Sequence, residues 1–330
     1  MASLVVCGAI NWDTSCFVEH LPVPGEEVTV SRVNRVSGGT GGNVAVAAAR
    51  LLGPGEVALI GALGEDDLAE RQIAALKAEG VLTGGIRHIP GEESGQAYIL
   101  VDASGQNVIA SRLGANAGLT AEHLNSREVG EQLDGCRCLV LTDPPLDLAA
   151  ELVALAGSRD IPVLWDPGIL INPHRDALRS LAREAALLFL NETEAAALLG
   201  AGGVEAGLRA LTDLDYRNRV VFKLGARGAA MVEPGAGTVV EAPALPLGEL
   251  GLSVVNTVGC GDVFAGAFAA CRVLGMSWRD CLLMAGAAAG LNATRPETRG
   301  GPDRAELDRA VRLSREAGFA TVERPASQDG

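Results

Sequence analysis

Lysine and aromatic side chains are scarce in this sequence. Of 330 residues only two are lysine, Lys77 and Lys223, and aromatics make up 3%. Neither lysine follows a glycine, so the phosphate-binding loop GxxxxGK[ST] is absent from the chain. Basic charge is short as well. Its 27 Lys and Arg against 41 Asp and Glu give a formal net charge of −14, the wrong sign for a surface that gains affinity by neutralising nucleic-acid phosphates. The four histidines, His20, His88, His123 and His174, stand apart, and Cys136-x-Cys138 has no second thiol pair, so the spacing offers no tetrahedral metal set. Seven cysteines, an odd number set mostly in apolar runs, are expected to be reduced core thiols. The opening MASLVVCGAINWD has no basic stretch before its apolar residues, and Asp13 and Glu19 soon interrupt the apolar run. Neither a signal peptide nor a membrane span is expected, and the protein is placed in the cytoplasm. Its 42 glycines and 15 prolines have no period, which excludes collagen-like and solenoid designs.

What is present is core material, 48% of the chain being hydrophobic. Short apolar runs at Leu4–Ile10, Val57–Ile60, Cys138–Leu141, Val163–Trp165, Leu187–Leu190 and Val220–Leu224 read as buried strands. Between them, Asn43–Leu52, Leu68–Glu79, Leu148–Ala156, Thr193–Leu199 and Gly261–Leu274 read as helices. This alternation predicts one α/β domain over residues 1–330, a doubly wound, mostly parallel sheet flanked by helices, with ligands beyond the carboxyl ends of the strands. Two stretches break the rhythm: Ser15–Val36 with its alternating EEVTVSRVNRV, and Gln96–Arg112, in which Asp102-Ala-Ser-Gly105 reads as a hairpin turn. They predict antiparallel strands forming a small β-sheet lid over about 14–37 and 95–113. A helix is expected to open the last 28 residues, and the polar end ERPASQDG to fray.

Two glycine-rich motifs carry the chemistry. Ser37-Gly-Gly-Thr-Gly-Gly-Asn43 runs directly into a helical stretch, so the backbone can approach a polar ligand with free N–H groups at a helix start. A dinucleotide fingerprint would have to come directly after the first strand, where Asn11-Trp12-Asp13 stands instead. The second motif, Asn256-Thr-Val-Gly-Cys-Gly-Asp262, also opens a helix. Gly259, Cys260 and Gly261 would present amides to a developing phosphoryl charge, while Asp262 accepts the proton of an attacking hydroxyl. A first-turn acid that merely complements a helix dipole is the plainer reading of Asp262, and the second anion-adapted helix start counts against it.

With these motifs the chain resembles the ribokinase family, also called the PfkB sugar-kinase family, over nearly its full length. GAINWD is similar to the first-strand sugar motif, GGTGGN to the first signature, NETE to N-x-x-E, and NTVGCGD to the second signature D-T-x-G-A-G-D. PGEEV, GEESGQAYILV, GANAGLT and KLGARGA match further family segments in the same order. The resemblance implies that Asn11 and Asp13 bind sugar hydroxyls, with Gly39, Thr40, Asn43 and Asp143 completing that side. It implies that Asp262 is the base, with Gly259, Cys260 and Gly261 as the anion hole. ATP is placed against Asn191, Lys223, Gly225, Gly228 and Gly261, and Mg²⁺ near Asn191 and Glu194 through water.

The reaction implied is transfer of the γ-phosphate of ATP to a primary hydroxyl, ribose to ribose 5-phosphate. The alternatives are a nucleoside kinase, another sugar kinase of the family, or a sensor that binds sugar or nucleotide without turnover. Thr40 stands where ribokinases usually have Lys, Gly42 where they have Ala, and Asp143 where they offer Glu, so the sugar pocket is expected to differ. Asn256 replaces an Asp at the monovalent-cation site that Asn256 and Val258 would form, which predicts weak potassium activation or none. Cys260 stands at an alanine position. A helix start can lower a thiol's pKa, but a small, unreactive residue is expected there. Partners are a sugar or nucleoside and ATP, with neither nucleic acid nor membrane, and the exposed lid edges predict a homodimer through paired lids.

Overall fold

The computed structural model describes residues 2–316 and 318–325, so the expected fraying at the end of the chain lies outside the described residues. In chain order the strands are β1 Leu4–Gly8, β2 Asn11–Phe17, β3 Arg32–Gly38, β4 Val57–Leu63, β5 Leu82–His88, β6 Gly95–Val101 and β7 Asn107–Arg112. They continue as β8 Cys138–Thr142, β9 Val163–Asp166, β10 Leu187–Asn191, β11 Arg219–Lys223, β12 Ala229–Glu233, β13 Thr238–Ala242 and β14 Val322–Pro325.

Ten of them form one sheet in the order β14-β13-β12-β11-β10-β9-β8-β1-β4-β5. From β5 to β11 the pairings are parallel, and β12, β13 and β14 close the far edge antiparallel. The central strands β1, β4 and β8 are buried along their whole length because both faces are covered, whereas the edge strand β5 is largely exposed. Leu4 and Val6 of β1 join the core on one side, and Val5 and Cys7 the core on the other. All seven cysteines are free thiols. Among the described residues no helix is long and apolar enough to cross a membrane.

From β1 the chain moves outward through β4 to β5, then returns to lay β8 on the opposite side of β1. This reversal opens a crevice beyond the carboxyl ends of β1 and β8, the place where ligands of such sheets gather. Gly8 is in register with Thr142, Thr142 with Asp166, and Asn191 with Lys223, so the polar ends of five neighbouring strands border the same edge.

Beside the crevice stands a second sheet in the order β3-β2-β6-β7. The pairs β2–β3 and β6–β7 are antiparallel, as their alternation predicts, but β2 and β6 run parallel. The cause lies in the connections. Each of these strands leaves the same end of the main sheet, β2 directly after β1 and β6 after β5, so they set out in the same direction.

Candidate functional site

Asn11 and Asp13 lie on β2, in register with Gly38 and Val36 of β3 and with Gly95 and Ala97 of β6. Asp13 is 4% exposed, and its Oδ2 accepts from Thr298 Oγ1 at 3.2 Å. Asn11 Oδ1 accepts from Asn116 Nδ2 at 3.0 Å, and Asn116 also takes the Ile10 N–H at 2.9 Å, which ties this corner to the segment after β7. Glycine at 38 is a packing requirement, since a Cβ there would lie 2.0 Å from Asp13 Oδ2.

The glycine run then opens the helix Thr40–Leu52. Gly39, its N-cap, has φ +84°, a conformation that glycine adopts without strain. Gly41 rests on Gly8, where a Cβ would stand 2.5 Å from the Gly8 carbonyl carbon. Thr40 Oγ1 donates to Asp143 Oδ1 at 2.8 Å, so two of the positions that depart from the ribokinase pattern compensate each other: a short hydroxyl meets a short carboxylate.

Asn43, 4% exposed, donates from Nδ2 to Asp262 Oδ2 at 2.8 Å and joins the two glycine-rich motifs across 219 residues of chain. Asp262 sits in the first turn of the helix Cys260–Val273. Gly259 caps that helix at φ +78°, and a Cβ there would fall 2.1 Å from the Thr298 carbonyl oxygen. The Cys260 N–H is engaged by Thr257 O at 3.3 Å, whereas the amides of Gly261 and Asp262 have no partner within the helix. Burial pushes the Cys260 thiol up to about 11, against a hydrogen bond from Asn292 that lowers it, so the helix start does not create a thiolate.

The two ends of the site share one electrostatic pattern. Withdrawal from water pushes the Asp262 carboxyl up to about 7, with Asp166 and Asp143 adding to the rise and Asn43 and Lys223 opposing it. Burial likewise lifts Asp143 and Asp13 to about 6. The counter-charge is Lys223, whose Nζ lies 2.5 Å from Asp166 Oδ2 and 3.9 Å from Glu194 Oε2. Burial disfavours the ammonium, but these two carboxylates prevail and hold it at about 12. Lys223 Nζ is 3.5 Å from where a Cβ on Gly261 would be, so the ammonium stands against the helix start that carries Asp262.

Asn191 and Glu194 form a reciprocal cap on the helix Glu192–Leu199. Asn191 Oδ1 accepts from Glu194 N at 2.8 Å, and Asn191 N donates to Glu194 Oε2 at 2.7 Å. Gly225 and Gly228 make the turn after β11, both at positive φ. Asn256 is 1% exposed and turned inward: its Oδ1 accepts from Val258 N at 3.0 Å and its Nδ2 donates to Pro296 O at 3.2 Å.

Three contributors to this region carry no clear signal in the sequence, Asp166, Thr298 and Arg299, whereas Asn116 lies within the segment GANAGLT. An acid at the end of an apolar strand, as in LWD, is the one usable sign, and it points to Asp166. Thr298 and Arg299 lie in a loop without periodicity.

Residues 1–305 match the pfkB family carbohydrate kinase. The chain is 30% identical to a ribokinase of Bacillus subtilis over 93% of this chain and 99% of that one. It is 30% identical to an ATP-dependent ribose-1-phosphate kinase of Halopiger xanaduensis over 92% and 95%. The solved structure of Arabidopsis thaliana ribokinase complexed with ribose and ATP superposes with a TM-score of 0.80 at 28% identity, covering 94% of this chain and 99% of that one.

Proposed function

Because this chain belongs to the pfkB family of carbohydrate kinases, we propose that it transfers the terminal phosphoryl group of ATP to the primary hydroxyl of ribose, giving ribose 5-phosphate. The observation that carries this reading is Asp262: a carboxylate fixed by Asn43 at 2.8 Å, in the first turn of a helix whose leading amides and the neighbouring Lys223 favour negative charge. With a pKa of about 7, it is matched to take a proton at neutral pH.

Asp262 accepts the proton of the attacking hydroxyl as the oxygen bonds to phosphorus and the bond to the ADP oxygen breaks. Negative charge on the moving phosphoryl group is met by the amides of Gly261 and Asp262 and by Lys223, a division of labour that needs no P-loop lysine. Asn11, Asp13, Asn43 and the Thr40–Asp143 pair hold the sugar hydroxyls above the glycine run. The turn of Gly225 and Gly228 lines the nucleotide.

Glu194 and Asp166 form a hard oxygen donor set close to Lys223, which fits a magnesium ion held mainly by phosphate and water. When bound, that ion neutralises phosphate charge. Asn191 serves by holding Glu194 in place.

The second sheet is proposed as the lid that excludes water over the sugar. Val33, Tyr98 and Val108 share one face of it and are 42%, 50% and 54% exposed, and a second copy of the chain covers them in the homodimer we infer. Sedimentation velocity at micromolar concentration should give twice the mass of one chain, and Val108→Glu should return it to the single-chain mass. A cytoplasmic setting, with ATP at hand, suits this chemistry.

Potassium is not required for this reaction, since both polar atoms of the Asn256 amide are already engaged by Val258 and Pro296. The expected result is less than about twofold stimulation when K⁺ replaces a bulky organic cation at equal ionic strength, set against the order-of-magnitude effects of placed charges at such sites. A large activation would refute it.

A coupled ADP-release assay over ribose, 2-deoxyribose, hexoses, nucleosides and ribose 1-phosphate tests the whole reading. Ribose should give the highest kcat/KM. A higher value for a nucleoside or for ribose 1-phosphate would move the assignment to that substrate, and no turnover on any would leave a binding protein.

A further inference from the structure

We propose that Arg299 is a positioning residue that fixes which end of the Asn43 amide faces Asp262, and so governs the proton affinity of the base. This role presupposes the kinase reaction proposed above. Arg299 Nε donates to Asn43 Oδ1 at 3.0 Å, Nη1 to Ser37 Oγ at 2.6 Å and Nη2 to Gly38 O at 2.8 Å. A guanidinium carries donors only, so the Asn43 atom it holds must be the amide oxygen. The amide nitrogen is thereby turned toward Asp262 Oδ2, 2.8 Å away. An ionised carboxylate accepts only, and a reversed amide would set oxygen against oxygen. One cation thus holds the amide in the orientation that stabilises the ionised base, while two of its other N–H groups grip β3 of the second sheet.

Gly42 makes the room. A Cβ at this position would lie 2.2 Å from Arg299 Nη2 and 3.3 Å from its Cζ. The absence of a side chain at 42 and the guanidinium from 299 are therefore two halves of one arrangement, and an alanine at 42 has to push the guanidinium off its partners. Arg299 also faces Asp13, Glu79, Arg50 and Asp262. Asp262 in turn faces Lys223, Asp166, Asp143 and the Cys260 thiol, and none of these is altered in the variants that test the idea.

The experiment is the pH profile of kcat from pH 5 to 9, with ATP and saturating ribose, for the wild-type chain, Arg299→Gln, Gly42→Ala and the double variant. Arg299→Gln should move the acid limb up by about one pH unit and cost about fivefold in kcat at pH 7, the displacement expected when a hydrogen bond to a charged group is lost. Gly42→Ala should reproduce that shift with arginine still present. The double variant should be no worse than Arg299→Gln alone, because shared action through one contact is non-additive.

An acid limb that stays in place in folded Arg299→Gln, or Gly42→Ala and Arg299→Gln losses that multiply, would overturn the role. If Arg299→Gln does not fold, Gly42→Ala decides alone: a shifted limb supports the role and an unmoved one rejects it. A wild-type chain that releases no ADP with ribose would instead sink the kinase reading, a separate failure visible before any variant is made.

Discussion

Asp262→Asn should remove about 10²- to 10⁴-fold of kcat while leaving ADP affinity within about twofold, the range spanned by a lost general base. The amide keeps the shape and can still accept from Asn43 Nδ2, so the 2.8 Å contact survives and the loss falls on proton transfer. In the wild-type chain, kcat/KM should fall about tenfold for each pH unit below about 7, because the base works only when ionised and its pKa is raised to that value. The same shift has a stability counterpart. The folded carboxyl holds its proton to about pH 7, whereas the unfolded one releases it near 4. Between these values the folded state binds more protons, so stability falls as pH rises through that window. Asp262→Asn should therefore be more stable than wild type at pH 8, by about 4 kcal/mol, and match it near pH 4. An unchanged kcat would eliminate the base; identical melting at pH 8 would show that the carboxylate carries no burial penalty.

Lys223→Met should cost a further 10²- to 10³-fold in kcat, comparable to removal of one preorganised donor from a transition-state cradle. It also strands Asp166 and Glu194, which face the ammonium at 2.5 and 3.9 Å. Breaking such a pair by one partner destabilises by about 3–5 kcal/mol. The two effects separate in the double variant Lys223→Met/Asp166→Asn: neutralising the stranded acid should restore most of the melting temperature, and kcat should stay low. Recovery of both together would make Lys223 a structural cation with no part in the transfer.

What is legible in the sequence depends on the range of each interaction. Strands β1, β4, β8, β10 and β11 announce themselves because a sheet covered on both faces demands unbroken apolar runs, which a local window detects. The helices Thr40–Leu52 and Cys260–Val273 are visible from their glycine-rich starts, and with them Asp262 and Asn43. The helix Trp278–Ala293 lacks a signal, since nearly every residue from Cys281 to Ala293 is small or apolar and buried on all sides, leaving no stripe for periodicity to reveal. The parallel pairing of β2 with β6 is hidden for a different reason: register between distant strands is decided by where each leaves the main sheet. Arg299 shows the limit most clearly. Its partners Ser37, Gly38 and Asn43 belong to a motif far away in the chain, and the only trace is a missing methyl group at Gly42.

The two motif-bearing helices touch backbone to backbone. A Cβ on Gly266 would lie 2.5 Å from the Val44 carbonyl oxygen and 2.9 Å from the Ala47 methyl. With nothing compressible between them, the spacing from Asn43 to Asp262 behaves as a rigid ruler, insensitive to which substrate arrives first. In the proposed reaction, closure then falls to the second sheet. Gly266→Leu would wedge the ruler open and uncouple acceptor from donor without touching a single reacting group.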